Sequence, residues 1–217
     1  MREPDAFAIM AACFTPPSEE EWRSIASDRA WADFVLVLRG LLEHGIDPDA
    51  PRRPFRSKPS LTESLSLEET AALFKPPDHD ALTRFSNRHF IGGLPQQSAM
   101  PVESLYANRT TQGLDPVEEK GFYGAEPAAY MRDLAASLGL SPAGLFLEYP
   151  DHLSCELEVL AYLLEEGATG AARQFLVERL AWLSSFRQRL LGLDDARFHL
   201  AIVDAILDIR SIAVRPQ

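Results

Sequence analysis

Cysteine is scarce in this sequence. Only two of the 217 residues are cysteine, Cys13 and Cys155, and they lie far apart with no Cys-x-x-Cys pair. A disulfide framework or a zinc ribbon needs more thiols at closer spacing. We therefore expect two reduced thiols in a reducing compartment.

Long apolar runs and an excess of positive charge are also lacking. No apolar run approaches the roughly 20 residues of a membrane-spanning helix. Acidic residues outnumber basic ones by 32 to 21, which gives a formal net charge of −11. This balance argues against binding to nucleic acid or to an anionic membrane surface, and it favours cationic partners. The missing apolar run argues against stable membrane insertion. The apolar stretch Ala6–Phe14 follows Glu3 and Asp5, which a signal peptide would not carry, so we interpret it as a first core helix and the protein as cytoplasmic.

The motifs of common enzyme classes are missing as well. The sequence contains no Gly-x-Ser-x-Gly elbow, no phosphate-binding glycine loop and no dinucleotide fingerprint. We therefore expect a protein that is not an enzyme and that carries no cofactor of its own.

Alternating strand patterns are absent too, and helical patterns fill the chain. Ser18 with Glu21, and Ser66 with Glu69, form capping boxes ahead of helical runs. Glycine follows several apolar runs where a helix C-cap favours it, as at Gly45. The sequence predicts an all-α, compact helical bundle of about nine to eleven helices. Among them are helices over residues 6–14, 31–42, 127–138, 150–166, 169–191 and 194–212, with a further start at Asp115-Pro116.

Two stretches are predicted to be connectors. Residues 51–60 are basic and proline-rich, and the role of Arg52 to Lys58 stays open. Residues 92–101 have the composition of a link between two helical halves, 1–100 and 101–217. We nevertheless expect a single domain over 1–217. A monomer and a homodimer are both compatible with the sequence.

The tripeptide Pro-Asp-His occurs twice, at Pro77-Asp78-His79 and Pro150-Asp151-His152. Proline suits the first helical position and aspartate suits the first turn, so each copy is compatible with an ordinary helix start. In the second copy, Asp151 would then cap the helix and His152 would form a hydrogen bond to a neighbouring loop. Only the second copy is followed by a glutamate four residues after the histidine, Glu156. Acid, imidazole and acid within one and a half turns could also form a metal site, a catalytic pair or a binding site for a cationic peptide.

The metal and catalytic alternatives lack supporting residues. Zinc needs a third and usually a fourth ligand, and the other histidines, at 44, 79, 89 and 199, form no ligand spacing with one another. No activated nucleophile accompanies His152. A metal-dependent hydrolase that uses His152 and Glu156 is therefore kept only as an alternative, and we predict no metal. Carboxylates that accept hydrogen bonds from arginine remain chemically adequate for a cationic peptide.

The segment EYPDHLSCELEVLAYLL, residues 148–164, closely resembles the signature of the TorD/DmsD/NarJ-like cytoplasmic chaperones of redox-enzyme maturation. Three further segments are similar to motifs of that family in the same order: FSNRHFIGG at 85–93, MPVESLYANRT at 100–110 and FLVERLAWLSSFRQRL at 175–190. Two features depart from the pattern, namely the basic loop and the glycines at 121 and 124.

The resemblance implies a chaperone that binds the twin-arginine signal peptide or the apo form of a molybdopterin-containing oxidoreductase catalytic subunit. An assembly factor of the nitrate-reductase type, which grips the enzyme subunit itself, is the alternative. By position the resemblance assigns peptide binding to Pro150, Asp151, His152, Glu156, Glu103, Ser104, Tyr106 and Trp182. We expect Asp151 and Glu156 to accept hydrogen bonds from arginine, and His152 either to fix the local geometry or to add a pH-sensitive contact. Core contacts are expected for the stripe of Leu153, Leu157, Leu160 and Leu164.

Overall fold

The computed structural model describes residues 1–46, 65–91, 97–106, 126–140 and 144–214. Over these ranges the protein is all-α, as predicted, and its only strand-like feature there is one isolated antiparallel bridge between Val102 and His152. The α-helices in these ranges are α1 (Glu3–Phe14), α2 (Glu19–Ile25), α3 (Asp28–His44), α4 (Leu67–Leu73), α5 (His79–Ser86), α6 (Glu126–Ser137), α7 (Leu145–Glu148), α8 (Leu153–Glu165), α9 (Thr169–Arg179), α10 (Leu183–Leu190) and α11 (Arg197–Ala213). A π-helical turn follows α5 at Asn87–Ile91, and 3-10 turns occupy Glu103–Leu105 and Leu180–Trp182.

Both predicted capping boxes are present. The Ser18 hydroxyl accepts the Glu21 N–H at 3.3 Å, and the Glu21 carboxylate accepts the Ser18 N–H at 3.0 Å. The same pair of bonds joins Ser66 and Glu69 at 3.2 and 2.7 Å. At the other end of a helix, Gly45 terminates α3 with a φ of +75°, a value that glycine adopts without strain.

Three predicted helices begin late or are divided in the structure. The helix expected over 194–212 begins only at Arg197, because residues 194–196 form a turn. The helix expected over 150–166 begins only at Leu153, because residues 149–152 form a turn. The helix expected over 169–191 is divided by the 3-10 turn Leu180–Trp182 into α9 and α10. This break is accompanied by a tertiary hydrogen bond from the Trp182 indole, which apolar periodicity cannot anticipate.

The hydrophobic core is built around α1, α8 and α11. Helix α1 packs along α8 over the largest helix–helix contact in the described chain, and α11 lies against α3, α9 and α10. Leu153, Leu157 and Leu160 are fully buried, which confirms them as core residues. Phe14 of α1 contacts the rings of Phe90, Phe186 and His199 at the centre of the core.

The core includes residues from both sides of the predicted connector, while the division into domains stays a prediction. The described residues do not include the basic loop at 51–60, the first half of the connector (92–96), the start at Asp115-Pro116 or the glycines at 121 and 124. Within the described ranges, no helix is long and apolar enough to cross a membrane.

Candidate functional site

Two of the family-like segments lie side by side in the structure. The Glu103 N–H donates to the Asp151 carbonyl at 2.9 Å, and the Leu153 N–H donates to the Pro101 carbonyl at 2.8 Å. These bonds flank the bridge between Val102 and His152. Main-chain pairing therefore fixes residues 101–106, the clasp segment, against the start of α8.

Asp151 strengthens this pairing through its side chain. Its carboxylate is 1% exposed, and its Oδ2 accepts the Ser104 N–H at 2.8 Å. An anionic acceptor makes a stronger bond to a main-chain N–H than a neutral one does. Asp151 thus holds the 3-10 turn of the clasp segment and does not cap α8.

His152 is the residue that caps α8. Its Nδ1 accepts the Ser154 N–H at 3.2 Å, which assigns the ring proton to Nε2. Burial lowers the pKa of His152 to about 4, so the imidazole is neutral at physiological pH. The Ser154 hydroxyl then donates to the Ala11 carbonyl at 2.9 Å and ties α8 to α1.

The first copy of the tripeptide begins its helix one residue earlier. There Asp78 is the N-cap of α5, and its Oδ1 accepts the Ala81 N–H at 2.7 Å. The expectation that Asp151 caps its helix is therefore wrong, and neither proline occupies the first helical position, which is His79 in α5 and Leu153 in α8. In the second copy the aspartate is engaged by the clasp segment, so the histidine takes over the cap.

Glu156 lies one turn into α8 and is fully buried. Its Oε2 accepts the Trp182 indole N–H at 3.1 Å, while its Oε1 has no hydrogen-bond partner. Burial, and next the negative charge of Glu103, raise the pKa of Glu156 well above its ordinary value. This carboxyl group is therefore held toward its protonated form.

Glu103 forms the ion pair of the site. Its Oε2 lies 2.5 Å from a guanidinium nitrogen of Arg179, and the two side chains are 8% and 13% exposed. The Arg179 guanidinium also lies 4.4 Å from the centre of the Tyr130 ring and 3.7 Å from the exposed carboxylate of Glu126. Burial raises the pKa of Glu103, and Arg179 acts in the opposite direction.

An aromatic wall closes the site. Tyr106, at the end of the clasp segment, stacks on Trp182 with ring centres 5.4 Å apart and planes 18° apart. Both rings also contact Phe186 of α10. Tyr106 is partly exposed, whereas Trp182 and Pro150 are buried.

The eight residues assigned from the resemblance thus lie in one region, and all except Tyr106 are buried. Asp151 and Glu156 each use one carboxyl oxygen, Oδ2 and Oε2, on an internal donor, and their binding of arginine from a peptide stays a prediction. Sequence reasoning missed Arg179, Glu126 and Tyr130. Arg179 had one available signal, because it is a cation in an otherwise apolar stretch, three residues before Trp182.

The residues of the metal alternative do not converge. The Nδ1 of His152 faces the Ser154 N–H, and the Oε2 of Glu156 faces the indole of Trp182. No group of three or more histidine, cysteine, aspartate or glutamate side chains could hold a metal ion within the described part of the chain. The geometry therefore gives the hydrolase alternative no support.

Comparison with known proteins agrees with the motifs. Residues 58–192, more than half of the chain, match the sequence profile described as nitrate reductase delta subunit. The chain belongs to this family. Over 56 residues it is 54% identical to the chlorate reductase assembly chaperone protein of Ideonella dechloratans, a match covering 20% of this chain and 29% of that protein. Membership of the nitrate reductase delta subunit family confirms the resemblance, and a relative named as an assembly chaperone agrees with the prediction that the chain is not an enzyme.

Proposed function

We propose that this chain is a cytoplasmic assembly chaperone for the catalytic subunit of a molybdopterin-containing oxidoreductase. The family match over residues 58–192 carries the proposal, and the assembly chaperone among its relatives supports it. The chemistry of the site agrees with a binding role. Its carboxyls are paired with an arginine, an indole and a main-chain N–H, and none of them is set beside an activated nucleophile.

The form of client that we favour is the apo subunit itself. Asp151 and Glu156 are 1% and 0% exposed, so an incoming peptide cannot reach them while the clasp segment is paired with α8. A folded client surface, by contrast, needs only the exterior of the chaperone. Burial of the carboxylates is the observation that favours this alternative over a signal peptide bound directly by them.

Binding of the twin-arginine signal peptide remains the second proposal. A carboxylate and an aromatic face already accommodate one guanidinium here, that of Arg179 between Glu103 and Tyr130. A peptide arginine would have the same chemistry as this internal occupant. We infer that such a peptide would have to displace Arg179, or separate the clasp segment from α8, before its arginine reached Glu103.

One binding experiment separates the two client forms. The purified chaperone is titrated with the apo form of a molybdopterin-containing catalytic subunit from the same organism, with the same subunit lacking its N-terminal signal segment, and with the isolated, labelled signal peptide. Equal affinity for both subunit forms, with no saturable binding of the peptide, supports the apo-subunit proposal. If neither form of the subunit binds, the chaperone proposal is refuted.

The signal-peptide proposal has its own control. A peptide in which lysine replaces both arginines should bind more weakly, and binding should weaken as salt increases. Glu103→Gln should reduce the preference for arginine, whereas Glu126→Gln, at a side chain that is 75% exposed, should leave most of it. Equal binding of the arginine and lysine peptides would contradict a guanidinium site.

A further inference from the structure

A second cleft lies away from the clasp segment. It has a volume of about 440 Å³ and opens between α5, with its π-helical turn, and the first turn of α11. None of the eight residues assigned to peptide binding lines it. The side chains that give it its chemistry are Arg84, Arg88, Phe85, Phe198, His199 and Asp195.

The rim of this cleft carries unpaired positive charge. Arg84 and Arg88 are exposed and one helical turn apart, and neither guanidinium group forms a hydrogen bond or ion pair with a described residue. Like charges at this spacing repel each other. Asp195 also lines the cleft, yet it makes no ion pair with either arginine. The arginines that do form ion pairs in the described chain include Arg2, Arg23, Arg39, Arg179 and Arg187.

The start of α11 adds to the positive character of this rim. Ala196 occupies the N-cap of this 17-residue helix and offers no side-chain acceptor to the first main-chain N–H groups. The N-terminus of a helix carries a partial positive charge, and it favours anions. Two guanidinium groups and a helix start therefore face one cleft in a protein whose net charge is −11.

The inner wall is aromatic, with the imidazoles of His89 and His199 beside the rings of Phe85 and Phe198. Phe85 stacks on His199 with ring centres 4.2 Å apart, and Phe198 contacts the same imidazole. The Nε2 of His199 lies 3.1 Å from the Cys13 carbonyl and so donates to it, which leaves Nδ1 as an acceptor. This Nδ1 is buried and has no partner, although a buried unsatisfied acceptor is costly.

We propose that this cleft binds an acidic segment of the client polypeptide. Its carboxylates pair with Arg84 and Arg88, and its apolar side chain covers Phe85 and Phe198. The partner rests on the proposed function, because it is the client subunit. A small inorganic anion would satisfy the guanidinium groups alone and would leave the aromatic wall unused. Because the net charge of the protein is −11, an acidic segment needs a locally positive surface such as this rim.

Charge reversal tests the proposal in the whole complex. We expect the double variant Arg84→Glu/Arg88→Glu to bind the apo subunit roughly 10- to 100-fold more weakly, since two attractive contacts become repulsive. The matched control is Arg29→Glu/Arg132→Glu, which makes the same change in net charge at two exposed arginines outside the cleft. The control should keep its affinity within about threefold of the unmodified protein, since these changes lie outside the contact.

A crosslink then identifies the occupant. The photoreactive residue p-benzoylphenylalanine at position 88 should crosslink to a client segment containing Asp or Glu, as mapped by mass spectrometry. Replacing those acids with lysine in the client should restore binding to the Arg84→Glu/Arg88→Glu variant.

Three outcomes would overturn the inference. Equal weakening by the cleft variant and the control would show a general charge effect. The cleft would instead be a small-anion site if two results were obtained together. The cleft variant would bind the client as well as the unmodified protein does, and inorganic phosphate would raise the melting temperature of the unmodified protein but not of the variant. In both cases the chaperone function stands. Failure of the unmodified protein to bind the subunit overturns the function and the inference together.

Discussion

The ion pair between Glu103 and Arg179 makes a quantitative prediction for the variant Arg179→Met. Methionine keeps an unbranched apolar side chain and leaves Glu103, 8% exposed, without its cation. Removing one partner of a buried ion pair costs about 3–5 kcal/mol. We expect a loss of about 3 kcal/mol in the free energy of unfolding at pH 7, near the lower limit because Arg179 is 13% exposed. For a chain of this size that corresponds to a fall of roughly 6–12 °C in melting temperature.

The pH dependence of this loss tests the cause. Burial raises the folded-state pKa of Glu103, and without Arg179 the largest opposing influence is lost. Below the unfolded pKa, near 4.5, the carboxyl is protonated in both states and the variant loses little. As pH rises through the folded-state pKa, the cost of an unpaired carboxylate appears in full. Urea unfolding at pH 7 and pH 4.5 should therefore show a deficit that shrinks in acid.

A double variant completes the test. Arg179→Met combined with Glu103→Gln removes both charges, so its stability at pH 7 should return to within about 1 kcal/mol of the unmodified protein. The reasoning is refuted if the single variant loses less than about 1 kcal/mol at pH 7. An equal loss at both pH values would also refute it, as would a double variant no more stable than the single one.

Three further predictions concern single positions. Glu156→Gln keeps an acceptor oxygen and removes a carboxyl group whose raised pKa costs stability as pH rises. Between pH 5 and 9 the variant should therefore lose less free energy of unfolding than the unmodified protein. An equal dependence of that free energy on pH, measured by urea unfolding, would contradict this. Between pH 6.5 and 4 the unfolded but not the folded protein takes up a proton on His152, which should cost the unmodified protein about 3 kcal/mol in its free energy of unfolding. His152→Asn keeps a capping side chain and should remove this loss. At Gly45 the φ is +75°, and an added Cβ would lie 2.9 Å from the Ile212 side chain, so Gly45→Ala should lower the free energy of unfolding by about 1–3 kcal/mol. Gly40 lies within a helix with open space beside it, so Gly40→Ala should raise that free energy by about 0.5–1 kcal/mol. Thermal unfolding measures both changes.

Local rules explain how much of the fold could be predicted. The capping boxes at Ser18 and Ser66 involve residues three positions apart, so the sequence contains all of the information they need. The glycine that ends α3 is equally local. The break at Leu180–Trp182 is different, because its tertiary bond joins Trp182 to Glu156, 26 residues earlier. A periodic pattern cannot carry information about such a contact.

The site illustrates the same limit at the level of single side chains. The motifs indicated that the clasp segment and the start of α8 belong together, and they are paired. The motifs did not indicate that the carboxylates face inward. An acidic side chain in the first turn of a helix can be solvated by water or bonded to a buried partner, and the local sequence is the same in both cases. The partner of Asp151 is the main-chain N–H of Ser104, and the sequence cannot indicate it because every residue except proline has such a group. Arg179 was missed for a related reason, since its partner Glu103 is 76 residues earlier in the chain.

The buried polar contacts also fix the position of the clasp segment. A hydrophobic contact of the same volume would often be as stable as a buried ion pair or more so, and stability alone therefore does not explain three carboxyl groups in one region. Their effect is positional, because Asp151 and Glu103 hold a short segment that has no extended strand partner and only a single bridge to α8. The segment also makes apolar contacts, since Val102 is 0% exposed and Tyr106 stacks on Trp182. Moving the segment away from α8 would therefore break hydrogen bonds that water can replace and would also expose apolar surface, for which water offers no compensation.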